Sequence, residues 1–141
     1  ANMAGTLLAA FMMYGLHAVP TEYIEGMNAI SRHYAELAFS EAFSYGIISG
    51  FLIAAIVWMK PSVQDAAFFV IVMFTYLIAI GNFTHVIAGS TELFLLAMQG
   101  DITIGHAANI IFATLLGNIT GGTCLFALLA HGQVAHEIEP D

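Results

Sequence analysis

Residues 81–92 read Gly-Asn-Phe-Thr-His-Val-Ile-Ala-Gly-Ser-Thr-Glu, a polar stretch inside the long apolar run of residues 66–98. As one continuous helix the run would be about 50 Å long, too long for a single crossing of a hydrocarbon core of about 30 Å. We therefore expect a helix that is interrupted near His85 at membrane depth, where protein or a water-filled cavity must satisfy the irregular backbone. Such a break is typical of a transport site. Two other arrangements fit the same residues: two helices joined by a polar loop outside the membrane, and one long tilted helix.

The composition indicates a membrane protein. Of the 141 residues, 60% are hydrophobic and 9% are charged, whereas a soluble domain has roughly 45–50% apolar and about 25% charged residues. The chain has 2 Lys and Arg residues against 10 Asp and Glu residues. It therefore lacks the basic surface that neutralises phosphates, which excludes nucleic-acid binding. A single cysteine, Cys124, excludes an internal disulfide framework and any CxxC metal or redox motif.

Uncharged runs divide the chain into four segments, each expected to lie in the membrane. These segments are residues 1–21, 42–59, 66–91 and 102–136, and residues 20–40 and 60–65 lie between them. The first segment is short and follows no recognisable signal peptide. We therefore expect the natural N-terminus to lie upstream of Ala1, so that residues 1–141 form one transmembrane domain truncated at its N-terminal side.

A short internal repeat links the first and last segments. Residues 2–6 read Asn-Met-Ala-Gly-Thr, and residues 118–123 read Asn-Ile-Thr-Gly-Gly-Thr. If these two segments are equivalent, two helices lie between them, and the protomer consists of two three-helix units of opposite topology. Chance recurrence of small and apolar residues explains the same similarity.

The interrupted segment and the last segment supply the candidate residues of a substrate pathway. An imidazole at membrane depth can donate a hydrogen bond, exchange a proton near neutral pH or face an anion. A neutral His85 would favour a neutral or proton-accompanied substrate, because burying an isolated anion is costly. A structural histidine bonded to a carbonyl is the alternative. The complete set of candidate pathway residues is Asn82, Thr84, His85, Ser90, Thr91, Glu92 and Asn118.

Glu92 has two interpretations. A carboxylate is stabilised at a helix N-terminus, so Glu92 is expected in the first turn of the second half-helix, with Ser90 or Thr91 as the capping residue. Alternatively, Glu92 faces a cavity.

Gly117 and Gly121 form a G-x-x-x-G spacing in the last segment. This spacing favours close contact between two helix backbones over direct binding of a ligand. Asn118, in the same apolar helix, needs a polar partner and is expected to orient polar groups near a pore.

Three ordered motifs resemble the formate/nitrite transporter family. They comprise residues 40–43 with 46–47 and 57–59, then residues 83–88, then residues 116–122. The resemblance covers the end of the third helix and the fourth to sixth helices of that family. It implies an all-α, aquaporin-like bundle of six helices in two inverted repeats, assembled as a homopentamer with one pore per protomer. It also implies that the fifth helix is interrupted by a loop whose histidine matches His85.

Three positions depart from the family pattern. Thr84 stands where the family often has Glu, Tyr34 stands where it has a Lys near the start of the fourth helix, and Glu92 stands at a usually apolar position. Arg32 or His33 could replace the missing Lys at the pore mouth. The departures bear on which anion is selected.

The resemblance implies a channel or transporter for small monovalent anions such as formate or nitrite, passive or proton-linked, in the bacterial inner membrane. No enzymatic activity, cofactor or metal is expected, and the partners are the anion, a proton, the lipid bilayer and further copies of the chain. Two other functions stay open. One is a haem-binding anchor subunit of a respiratory oxidoreductase, in which two histidines ligate iron; the other is a helical scaffold without transport activity.

Overall fold

The computed structural model describes the backbone of residues 1–138 and the side chains of residues 1–135. All regular secondary structure in this part of the chain is helical. Short π-helical segments at Phe11–Gly15 and Thr120–Phe126 follow the first and sixth helices, and a 3₁₀ turn, Gln64–Ala66, follows the third. The helices are α1 (Asn2–Ala10), α2 (Thr21–Ala35), α3 (Phe39–Val63), α4 (Ala67–Ile80), α5 (Val86–Gln99), α6 (Ile104–Ile119) and α7 (Ala127–Ile138).

Two stretches are long and apolar enough to cross a membrane by length and composition: Phe39–Ile80, which includes α3 and α4, and Ile104–Ala135. The apolar helix α5 is shorter. No residue of α4 is buried, and Phe68 and Phe69 are 69% and 71% exposed. Outward-facing apolar side chains of this kind fit a chain that contacts lipid or further protein. The four membrane segments expected from the sequence stay a prediction.

Glycines bring the backbones of α3 and α6 into direct contact. A Cβ atom on Gly117 would overlap the carbonyl oxygen of Phe43, and one on Gly121 would overlap the carbonyl oxygen of Ile47. Gly50 of α3 lies equally close to the backbone of Asn118. The contacts advance in the same direction along both helices, so α3 and α6 run parallel. The expectation that Gly117 and Gly121 serve close helix packing is confirmed.

The chain reverses after α3, and α4 returns along it. The hydroxyl of Thr84, beyond the end of α4, donates to the carbonyl of Ala42 at 2.7 Å. The rings of Phe83 and Tyr45 lie 6.4 Å apart between centroids. The end of α4 therefore lies beside the first half of α3.

The predicted interruption is present between α4 and α5. Asn82, with φ 50°, ends α4 in a left-handed conformation. The N–H of Asn82 donates to the carbonyl of Ala79 at 3.2 Å, and that of Phe83 donates to the carbonyl of Ile78 at 3.0 Å. This pair of bonds is a Schellman motif with Asn in the position usually taken by Gly. The next helix begins at Val86, so a continuous helix over residues 66–98 is excluded.

The connection expected over residues 20–40 contains a helix, α2, which the sequence analysis did not anticipate. Three polar contacts hold it against the end of α5 and the start of α6. Asn28 and Gln99 exchange two side-chain hydrogen bonds of 2.8 and 2.9 Å. Arg32 forms an ion pair with Asp101 at 2.9 Å, and the imidazole of His106 donates to the carbonyl of Ala35 at 2.7 Å.

Candidate functional site

The break between α4 and α5 is held in place by Asn118 of α6. Its side-chain oxygen accepts the backbone N–H of Val86 at 3.0 Å. Its NH₂ group lies 2.9 Å from the carbonyl oxygen of Gly46 and 3.2 Å from that of Thr84. The same NH₂ group lies 3.0 Å from the hydroxyl of Ser49. Asn118 thus pairs one of the N–H groups that a helix start leaves without a partner, and it ties α5 to both α3 and α6.

Ser49 and Thr84 complete the attachment of the break to α3. The Ser49 hydroxyl donates to the carbonyl of Thr84 and also contacts the carbonyl of Gly46. The Thr84 hydroxyl donates to Ala42. Both side chains are buried, so the polar groups of this segment are paired with protein rather than with water.

A cleft of about 740 Å³ opens between α3 and α6, next to the break between α4 and α5. We call it the first cleft. His85 and Asn118 lie on its wall, and it extends toward Trp58 and Pro61 near the end of α3. The rings of Trp58 and Phe126 meet edge to face at 6.1 Å there. Among the described residues that line the first cleft, His85 has the one ionisable side chain.

His85 is the N-cap residue of α5, with φ −118° and ψ 124°. The N-terminus of a helix carries a partial positive charge, which favours an anion next to it. The imidazole of His85 is half-buried, and within the described part of the chain no protein group is hydrogen-bonded to it. His85 therefore lines the first cleft at the start of α5, with its imidazole available to a solute.

The expected helix start at Ser90, Thr91 and Glu92 is wrong. Because α5 begins at Val86, Glu92 lies in the middle of the helix and is half-buried. Ser90 bonds the carbonyl of Ile87 at 2.9 Å and the hydroxyl of Thr6 at 3.0 Å. Instead, the side chain of Asn118, which lies on α6, accepts the N–H of Val86 at the start of α5.

The remaining candidates lie apart from the first cleft. Asn82 is exposed, and Thr84 is 4% exposed and paired with α3. Thr91 contacts the carbonyl of Ile87 at 3.5 Å. Of the predicted pathway residues, only His85 and Asn118 line the first cleft within the described chain.

A second cleft of about 460 Å³ lies at the opposite end of α5 and α6. Arg32, Asp101 and His106 are among its lining residues. Arg32 was a candidate cation for a pore mouth, but its guanidinium is paired with Asp101. His33, the other candidate, is exposed and does not line this cleft.

Tyr34, at the end of α2, is a buried residue that the sequence analysis noted only as a departure from a family pattern. Its hydroxyl lies 2.6 Å from the hydroxyl of Thr114, and its ring lies on the backbone of α5 at Gly89. Burial raises the pKa of Tyr34 to about 12; the bond to Thr114 opposes this shift and the nearby charge of Glu92 adds to it. Tyr34 is therefore neutral at physiological pH.

A broken helix beside a cleft, in a bundle with apolar outer faces, is the architecture of a membrane transport protein. A sequence model described as formate/nitrite transporter matches residues 1–132, so the chain belongs to the formate/nitrite transporter family. The inner membrane protein YfdC of Escherichia coli (strain K12) is 36% identical over 141 residues. The match covers 97% of this chain and 44% of YfdC, so the chain spans less than half the length of that relative. No solved structure matches this chain significantly.

Proposed function

We propose that this chain is part of a channel or transporter for small monovalent anions such as formate or nitrite, passive or proton-linked, in the bacterial inner membrane. The observation that carries the proposal is the break between α4 and α5, which opens onto the first cleft with His85 at the start of α5. Membership of the formate/nitrite transporter family supports it.

The position of the break fits a site halfway across a membrane. Helix α3 has 25 residues and is about 37 Å long, enough to cross a hydrocarbon core of about 30 Å. The break is bonded to Ser49, close to the middle of α3, and to Asn118, close to the middle of the stretch Ile104–Ala135. A solute that reaches His85 has therefore passed about half of the apolar thickness.

The chemistry of the site favours a small anion that travels with a proton. The start of α5 attracts negative charge, and His85 can donate a hydrogen bond or a proton to a weak acid. The other lining residues carry no formal charge to compensate a permanently charged solute. Loss of the charge on the solute lowers the cost of crossing the apolar part of the pathway.

The other predicted pathway residues have supporting parts in this proposal. Asn82 ends α4, Thr84 fixes the break on α3, and Ser90 and Thr91 lie within α5. Glu92 places a carboxylate on α5 two turns beyond His85. Assembly as a homopentamer, an aquaporin-like outline and inverted repeats belong to the proposal as well and follow from the family resemblance.

Flux measurements in proteoliposomes test the proposal. The protein, with all natural sequence that flanks residues 1–141, is reconstituted, and formate or nitrite uptake is measured between about pH 5 and pH 8, where an imidazole titrates. Protein-free liposomes correct for diffusion of the undissociated acid. We expect anion uptake above this background, with a rate that falls as the pH rises because the imidazolium is lost.

His85→Gln removes the titrating group and retains a hydrogen-bonding side chain. We expect this variant to lose most of the protein-dependent change of rate with pH. The matched control is His131→Gln, at an exposed position of α7, which should behave like the wild type. Absence of uptake in the wild type would refute the proposed function. An unchanged pH profile in His85→Gln would refute only the role assigned to His85 and not the proposed function.

A further inference from the structure

The two clefts approach each other along α5 and α6 without meeting. His85 and Asn118 are at the inner end of the first cleft, whereas Leu96 and His106 line the second. Leu96 of α5 is eleven positions beyond His85, and Asn118 of α6 is twelve positions beyond His106. At about 1.5 Å per residue, the linings of the two clefts are about 17 Å apart.

A closed layer of buried side chains occupies the space between the clefts. Leu93 of α5 and Ile110 of α6 are 0% and 1% exposed, and both pack in one cluster with Tyr34. Thr114 is 0% exposed and bonds the Tyr34 hydroxyl. We call Tyr34, Gly89, Leu93, Ile110 and Thr114 the closed layer.

Tyr34 differs from the other members because it comes from α2. Its contacts reach the helices on which the first cleft depends: Gly89 is one turn beyond His85 in α5, and Thr114 is one turn before Asn118 in α6. Its chain neighbour Ala35 lines the second cleft. The Tyr34 ring therefore crosses the layer from the second cleft toward the first.

The absence of a side chain at Gly89 is required for this position of the ring. A Cβ atom there would overlap Cε1, Cζ and the hydroxyl of Tyr34, so the hydroxyl end of the ring lies directly against the α5 backbone. The hydroxyl has one protein partner in the described chain, Thr114. One neutral hydrogen bond and apolar contacts thus retain the ring, and breaking that bond removes the one polar contact that holds it in the closed layer.

Resting on the proposed function, we infer that Tyr34 is the gate and size filter of the pathway, closed by its hydrogen bond to Thr114 against Gly89. A small monovalent anion, or its conjugate acid, passes between the clefts when the phenol ring leaves Thr114. The ring is neutral, so opening requires no change of charge on Tyr34. The space that the ring vacates limits the size of the solute.

Two single variants remove the hydrogen bond from opposite sides. Tyr34→Phe and Thr114→Val should each raise formate flux about fivefold, the change in open population that accompanies the loss of one neutral hydrogen bond. The double variant should show no further increase, because the same bond is already lost. Tyr76→Phe, at a position of α4 that is 62% exposed, is the control and should conduct like the wild type.

Tyr34→Ala provides a second readout that concerns solute size. Enlarging the space in the closed layer should raise the ratio of lactate uptake to formate uptake above the wild-type ratio, because lactate is the larger monocarboxylate. Increased flux in Tyr34→Phe and Thr114→Val, together with a raised ratio of lactate to formate uptake in Tyr34→Ala, would support the gate. Unchanged or lower formate flux in both single variants, or an unchanged ratio of lactate to formate uptake in a Tyr34→Ala protein that still conducts formate, would overturn it. If the wild type takes up formate but the Tyr34 and Thr114 variants show none of these changes, the gate is refuted and the proposed function stands. If the wild type takes up no anion, the proposed function itself is refuted.

Discussion

Replacement of Asn118 by alanine should release the break from the two helices that hold it. Ser49 still bonds the carbonyls of Gly46 and Thr84, so these acceptors keep a partner. The N–H of Val86, a residue that is 8% exposed, loses its partner. An unpaired buried donor costs about 1–3 kcal/mol, and each lost neutral bond contributes about 1 kcal/mol more. We expect Asn118→Ala to lower the free energy of unfolding by about 3 kcal/mol.

Denaturant unfolding in detergent, followed by helical circular dichroism, measures this change. Asn109→Ala is the matched control, since Asn109 lies on the same helix and is exposed; it should change stability by less than about 0.5 kcal/mol. Amide hydrogen exchange provides a local measurement, because the Val86 amide should exchange faster in Asn118→Ala. Equal stability of the two variants, or unchanged exchange at Val86, would refute the assignment of Asn118 as the tie that holds α5.

Two further predictions concern charge and helix packing. Glu92 lies seven residues beyond His85 in α5, about 10 Å along the helix axis, and at an effective dielectric constant of about 20 its carboxylate opposes an anion at His85 by about 1.7 kcal/mol. Glu92→Gln should therefore raise formate flux by up to about 18-fold in proteoliposomes at a pH of about 8. Glu25→Gln, on the exposed side of α2, should leave the flux unchanged, and equal flux in both variants would contradict this effect of the Glu92 charge. Gly121→Ala places a methyl group on the carbonyl of Ile47 and should cost about 2–3 kcal/mol of stability. Gly132→Ala, where the added atom meets open space, should stabilise α7 by about 0.5–1 kcal/mol, and a similar loss in both glycine variants would argue against the close contact.

The interruption near His85 was predictable because its cause is local. Gly81 and Asn82 are residues that tolerate the end of a helix, and the apolar run around them is too long for one crossing. The contact between α3 and α6 was partly predictable as well, from the spacing of Gly117 and Gly121. The matching glycines of α3, Gly46 and Gly50, show the same spacing and were overlooked.

The start of α5 was not predictable from neighbouring residues. Ser90 and Thr91 are good capping residues by type, but the helix begins earlier because Asn118, from a distant part of the chain, accepts the N–H of Val86. Helix α2 was missed for a different reason: charged and apolar residues alternate along it without a long apolar run, and polar bonds to α5 and α6 hold it in place. Contacts between distant residues decided both features.

The direct backbone contact between α3 and α6 restricts how this part of the molecule can move. Helices that meet through side chains can slide or tilt by changing rotamers, whereas backbones in contact at Gly117 and Gly121 have no such freedom. Because the break between α4 and α5 is bonded to both helices, α3, α6 and the break form one rigid unit. A conformational change that slides or tilts α3 against α6 would first have to separate these two backbones.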